Sequence, residues 1–198
     1  AFVKAKEGAE DDPELGKEDL KHVGLNERDT VIGLAASGRT PYVIGALKYA
    51  GETGCRRICI VNNVDTELAK EADCAIELIT GPEVLTGSTR LKAGTAEKMV
   101  LNMISTVSMV AIGKVYENLM VDVRQTNEKL VTRAENIVMD AVGCRREEAR
   151  EALQEAGGET KIAITKMLLG CGTEEAQRRL KLAGGRIKAA IGTAVQPV

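Results

Sequence analysis

The residues best placed to do chemistry are Ser37, Gly38, Arg39 and Thr40, inside the run Leu34-Ala35-Ala36-Ser37-Gly38-Arg39-Thr40-Pro41-Tyr42. An apolar stretch, Thr30–Ala35, precedes them, and a helical pattern, Pro41–Glu52, follows. The segment therefore predicts a strand–loop–helix corner that opens on a helix N-terminus. Free backbone N–H groups and the positive end of the helix dipole suit such a corner to an anion, above all a phosphate. Ser37 and Thr40 add hydroxyl donors, Gly38 allows close backbone approach, and Arg39 supplies charge. Pro41 fits the first helical position, where its missing N–H is not needed. An ordinary N-cap, with Ser or Thr starting a helix and binding nothing, is the plainer reading of the same residues.

Two similar motifs are excluded. No Gly-Lys-Ser/Thr closes the loop, so it is not a P-loop. Ala35 and Arg39 stand where a Gly-x-Ser-x-Gly nucleophile elbow needs its glycines. A serine nucleophile would also need a base, and the only histidine is His22, in an unrelated polar segment. Metal chemistry is poorly supplied: one His and five scattered cysteines (Cys55, Cys59, Cys74, Cys144, Cys171), with no tight Cys-x-x-Cys pair, do not offer a four-ligand site. Cys59 and Cys74, in apolar strand-like runs, are expected to be buried thiols. The thiol content fits a reducing cytoplasm.

What remains are carboxylates near two oxyanion-friendly turns. Glu10 lies in the acidic run Glu7-Gly8-Ala9-Glu10-Asp11-Asp12, and Glu83 opens a second loop, Gly81–Arg90, rich in Gly and hydroxyls. A carboxylate in a partly dry sugar site can act as general acid or base, with its pKa tuned toward neutrality. Acidic runs of this kind are more commonly solvated surface. Ser88, Thr89 and Lys92 of the second loop are expected to line the same cleft as the first loop. The competing reading is a capped helix with Thr86 or Ser88 as N-cap.

The elements that must position these residues follow from periodicity. Glu14–Val23 reads as a helix, Thr30–Ala35 as a strand and Pro41–Glu52 as a helix. Arg57–Asn62 reads as a strand, Thr66–Glu71 as a short helix and Cys74–Thr80 as a strand. Alternating strands and helices argue for βαβ units and a parallel sheet. A long helix is expected over Leu91–Glu117. Its apolar stretch Met99–Ile112 is too short to span a bilayer and contains Asn102, Ser105, Thr106 and Ser108, so it predicts a buried or subunit-contact helix, and with it a homodimer. After about residue 127 the strands stop. Glu128–Ala141, Arg146–Ala156, Glu159–Leu168, Thr173–Leu182 and Arg186–Ile191 read as short helices separated by glycines. The expected division is 1–126 for an α/β domain and 127–198 for a small helical bundle.

With 198 residues, 44% hydrophobic and 28% charged, the chain has the make-up of a soluble globular protein. A net charge of −2 gives no electrostatic footprint for nucleic acid or an anionic membrane, and one Phe with three Tyr offers few stacking platforms. The chain opens Ala1-Phe2-Val3 without Met and moves directly into charged sequence, which reads as the interior of something longer.

Several segments together resemble one family. Glu7–Asp11, Ala35–Tyr42, Thr86–Thr95, Asn118–Val123 and Thr126–Leu130 are similar, in order, to the larger C-terminal part of the N-acetylmuramic acid 6-phosphate etherases, within the sugar isomerase (SIS) domain group. Glucokinase regulatory proteins share that architecture. The resemblance implies a partial parallel-sheet SIS sandwich followed by a helical bundle. It also implies a cytoplasmic carbon–oxygen lyase of cell-wall amino sugar recycling. Such an enzyme converts its phosphorylated amino sugar to N-acetylglucosamine 6-phosphate and D-lactate, by elimination and then hydration, with no metal or organic cofactor. Two glutamates carry the proton traffic in the family, and the second falls at Glu10. Glu83 aligns with the base of isomerase relatives. The family's first glutamate, in an Ala-Ser-Glu-Cys-Pro segment, and its first phosphate loop, Gly-Ala-Gly-Thr-Ser-Gly-Arg, do not occur in this sequence. The chain by itself is therefore expected to be inactive. A non-catalytic phosphosugar-binding regulator and a sugar-phosphate isomerase are the other readings.

Overall fold

The structure is a computed structural model that describes residues 8–192. Glu7, which opens the acidic motif, lies outside the described residues. The chain divides into two compact units, 1–102 and 103–198. Packing thus changes partners inside a helix, whereas the strand pattern stops later, near residue 127; the two divisions measure different things.

The first unit starts with a 3-10 turn, Ala9–Asp11, and helix α1, Pro13–His22. Asp12 caps α1, its carboxylate accepting from the backbone N–H groups of Glu14 (3.0 Å) and Leu15 (3.3 Å). Strand β1 (Thr30–Leu34), helix α2 (Pro41–Glu52), strand β2 (Arg56–Val61), a one-turn helix α3 (Glu67–Lys70) and strand β3 (Cys74–Glu77) follow. The sheet runs β1-β2-β3, all parallel, with Thr30 opposite Arg56 and Ile58 opposite Cys74. Central β2 is paired on both sides, and Cys59, Ile60 and Val61 are fully buried. Cys59 and Val61 pack in a core with Ala35, Leu47 and Leu68.

One expectation is corrected here. Cys59 is buried, but Cys74 is exposed. The apolar run around Cys74 belongs to a strand at the edge of the described sheet, and three of its four residues face solvent.

Helices α1 and α2 cross at unusually short range. A Cβ on Gly16 would stand 2.1 Å from the carbonyl oxygen of Tyr42, and one on Gly45 would stand 2.0 Å from that of Pro13. Only glycine permits this approach. Tyr42 then donates its hydroxyl to Asp19 at 2.8 Å, and the Ala9–Asp11 turn packs against α2.

Helix α4, Lys92–Ala111, crosses from the first unit into the second. It stops six residues short of the expected Glu117, because Gly113 turns left-handed (φ 76°) and Lys114 N–H closes back on Met109. A small hairpin, β4 (Val115–Tyr116) and β5 (Leu119–Met120), occupies the remainder. Five helices complete the second unit: α5 (Glu128–Val142), α6 (Arg146–Glu155), α7 (Thr160–Leu169), α8 (Thr173–Leu182) and α9 (Ile187–Gly192). Their core is built from Val138, Leu153, Ile164, Leu180 and Ile187. Arg186, just before α9, donates two hydrogen bonds to the carbonyl of Ala111 at the end of α4 (2.6 and 3.2 Å).

Glu135 of α5 is 5% exposed and lies between two guanidinium groups, Arg146 at 2.7 Å and Arg150 at 2.8 Å. Hydrogen bonds from Arg150 and then Arg146 hold its carboxyl below the usual glutamate range. The resulting stabilisation is present above the unfolded value of 4.5 and is lost as pH falls through the lower folded value. Glu135→Gln should therefore lower stability at pH 7 by about 1–2 kcal/mol, since both arginines remain partly solvated. Urea titrations at pH 7 and pH 3 should show this gap closing in acid; an equal gap at both values would contradict the assignment.

Candidate functional site

The loop between β1 and α2 is held from the neighbouring strand. Ala35 N–H continues the parallel ladder to Ile60. The carbonyl of Ala36 accepts from Asn62 N–H and from the Asn63 side-chain amide, both at 3.0 Å. Leu68 N–H donates to Gly38 at 3.0 Å. Gly38 is left-handed (φ 66°), and a Cβ there would lie 2.4 Å from the side chain of Thr66. Both conditions require glycine.

Thr40 is the N-cap residue of α2, but its hydroxyl makes no capping bond; Pro41 begins the helix. The Ser37 hydroxyl accepts from Arg39 N–H at 3.3 Å. Arg39 is exposed, and its guanidinium makes no hydrogen bond or ion pair among the described residues. The corner thus leaves a hydroxyl, a free cation and an uncapped helix N-terminus at the C-terminal end of β1. Open α/β sheets bind ligands at such ends.

Ser37 and Arg39 form one wall of a cavity of about 390 Å³. The facing wall is the loop after β2: Asn63, Val64, Asp65, Thr66, Glu67 and Lys70. Asp65 is left-handed (φ 52°), an uncommon state for a side-chain-bearing residue, and its N–H donates to Glu77 at 3.0 Å. Sequence reasoning missed this wall. The signal that could have found it is topological: the loop after β2 must lie beside the loop after a parallel β1.

The second loop has its own architecture. Glu83 accepts from Lys92 N–H (3.2 Å) and Ala93 N–H (2.9 Å), so its carboxylate caps α4 in place of Thr86 or Ser88. Ser88 and Thr89 lie in the turns that lead into α4, with Thr89 accepting from Gly94 N–H at 2.8 Å. The ammonium of Lys92 lies 3.9 Å from the position of a Gly81 Cβ. None of Glu83, Ser88, Thr89 and Lys92 lines the cavity beside Ser37, and neither does Glu10, which is exposed in the Ala9–Asp11 turn. One further carboxylate went unnoticed in the sequence. Glu97, one turn into α4, has a buried oxygen with no hydrogen-bond partner among the described residues, and burial pushes its pKa up.

The family model described as the SIS domain matches residues 13–107. That stretch of the chain is similar to a SIS domain. Those residues run from α1 through the Ser37 corner and the second loop into α4. Beyond this domain the similarity extends to proteins named N-acetylmuramic acid 6-phosphate etherase. The chain is 60% identical over 169 residues to those of Bacillus mycoides (strain KBAB4) and Bacillus cereus (strain G9842), and 59% identical to that of Bacillus anthracis (strain A0248). Each match covers 85% of this chain and 58% of the relative. The chain therefore spans a little over half the length of these relatives. Among the described residues no group of three or more His, Cys, Asp or Glu is arranged to hold a metal ion, and no helix is long and apolar enough to cross a membrane.

The glycine crossing supplies a test of how α1 positions the Ser37 corner. Gly16→Ala drives a Cβ against the backbone of Tyr42, the second residue of α2. It should cost about 1–3 kcal/mol in thermal unfolding. Unchanged stability would contradict the crossing described.

Proposed function

We propose that this chain acts, as part of a protein of its relatives' length, in N-acetylmuramic acid 6-phosphate etherase chemistry. The observation that carries the reading is the conjunction of the Ser37–Arg39–Thr40 corner with 60% identity to proteins of that name over 85% of the chain. On this reading Ser37, Arg39, Thr40 and the backbone N–H groups around Gly38 bind the 6-phosphate. Ser88, Thr89 and Lys92 bind the sugar from the second loop. A phosphorylated substrate retained inside the cell fits a cytoplasmic enzyme.

The reaction is an elimination followed by hydration, which makes the enzyme a carbon–oxygen lyase. In the ring-opened sugar the C2 proton is acidic because it neighbours the aldehyde. A carboxylate removes that proton, the C3–O bond breaks, and the departing lactate oxygen takes a proton from a general acid. Water then adds across the double bond, its oxygen to C3 and a proton to C2. One water is consumed, one D-lactate is released, and N-acetylglucosamine 6-phosphate remains. Glu10 is one of the two carboxylates in this scheme. Glu83 is engaged with the α4 N-terminus, which favours a supporting role for it over that of an isomerase base.

D-lactate release from the substrate should be measured for a full-length protein bearing this sequence, its Glu10→Gln variant and the 198-residue chain alone. Loss of a positioned proton-transfer group predicts a fall of about 10²–10⁴-fold for Glu10→Gln, and no turnover is expected from the chain alone. Wild-type turnover by Glu10→Gln would remove that residue from the mechanism. No release by the full-length protein would favour a phosphosugar-binding regulator.

A homodimer belongs to the same proposal. Met99, Met103, Val107 and Ile112 of α4 and its end are 52%, 56%, 66% and 54% exposed. A second copy of the chain would hide this apolar surface. Sedimentation should show a dimer that Val107→Glu dissociates; a stable wild-type monomer would contradict this.

A further inference from the structure

The second unit holds a cavity that the proposed reaction does not use. It measures about 680 Å³, within the range of small-molecule sites, and lies between the Asp122–Gln125 segment after β5 and the turn joining α6 to α7. Gln125 clasps the two walls, its side-chain amide donating to Gly158 at 2.9 Å. Lys114 enters from the end of α4 and donates to the Asp122 carboxylate, while Lys161 of α7 approaches the same carboxylate at 4.0 Å. Asp122 is thereby neutralised, and Lys114 is fixed in place.

Two lining side chains keep their hydrogen-bonding groups open, although the charge of Arg124 also acts on Asp122. Arg124 is exposed and makes no hydrogen bond or ion pair among the described residues. Glu159 is the N-cap residue of α7, yet its carboxylate makes no capping bond. Two lining cations (Lys114, Arg124) meet two lining carboxylates (Asp122, Glu159), and Lys161, outside the lining but 4.0 Å from Asp122, adds a further positive charge nearby. A guanidinium fork pairs with a carboxylate or phosphate through two parallel hydrogen bonds, whereas a free carboxylate accepts from hydroxyls.

We propose that this cavity binds a small hydroxylated anion, its carboxylate or phosphate on Arg124 and its hydroxyls on Glu159. The clasped walls and the fixed Lys114–Asp122 pair make the site preformed, so binding needs little reordering. The ligand could carry either anionic group, and three probes separate them: glucose 6-phosphate, D-lactate and inorganic phosphate.

The test uses the 198-residue chain carrying Arg39→Gln, which weakens anion binding at the Ser37 corner. NMR follows the Arg124 Nε–H signal and the amides of Gly157 and Gly158 during titration. A saturable shift is expected with glucose 6-phosphate or with D-lactate, identifying the phosphate or carboxylate form respectively. Adding Arg124→Gln should raise the midpoint at least tenfold, and Arg124→Lys should raise it less. Arg124 is exposed, so an unchanged thermal midpoint checks that these variants remain folded. Glu159→Gln should weaken the hydroxylated probe and leave inorganic phosphate unaffected. Absence of a saturable shift with all three probes, or an Arg124→Gln midpoint equal to that of its parent, would overturn the proposal. Inorganic phosphate binding as tightly as glucose 6-phosphate would overturn the hydroxyl contact.

Discussion

The Ser37 corner depends on the backbone of Ala36–Gly38 being pinned by its neighbours on the β2 side. Two donors converge on the carbonyl of Ala36 and one on that of Gly38, while the Thr66 side chain fills the space where a Cβ would stand. This arrangement turns a flexible glycine loop into a fixed surface. Its carbonyl groups are occupied toward the protein, and its hydroxyl and cation are left facing the cavity. Fixed donors need not be reorganised when an anion arrives, which is how a small site binds charge without a large apolar area. The parallel pairing of β1 with β2 is therefore part of the site, because it places the pinning loop alongside.

Much of this was legible in sequence. The strand–loop–helix corner, the three parallel strands and the five Gly-separated helices of the second unit follow from apolar period, Pro at the first helical position and Gly after the last. The failures have physical causes. A helical reading carried past Gly113 to Glu117 concealed the helix end and the hairpin, since periodicity does not report a left-handed turn. Cys74 looked buried because its neighbours are apolar, yet burial depends on what covers a strand, which its own residues do not state.

Glu83 is the most instructive residue. Sequence presented it as a carboxylate beside a polar loop and a catalytic candidate, with the helix cap assigned to Thr86 or Ser88. Its position nine residues before Lys92 hides the cap, because capping signals are sought within three or four residues. The loop folds back and delivers the carboxylate to the helix N-terminus through space. Glu97 shows the reverse case: a polar residue in a helical pattern, expected at the surface, has one oxygen buried without a partner. Both facts belong to tertiary placement and have no local signature.

The Arg186–Ala111 hydrogen bonds join two points 75 residues apart and close the second unit into a loop. Gly113 reinforces the closure, its Cβ position being 2.9 Å from the Gly185 carbonyl, and so does the ion pair between Lys188 and Glu117 at 3.0 Å. The last turn of α4 is thus sealed by the segment that folds at the opposite end of this sequence. Such a closure spans a large sequence separation, so forming it must first meet the entropy of closing a long loop. During synthesis the end of α4 emerges well before its seal, and the carbonyl of Ala111 waits unpaired for Arg186. A nascent chain stalled before Arg186 would present that frayed helix end to chaperones or to other nascent copies.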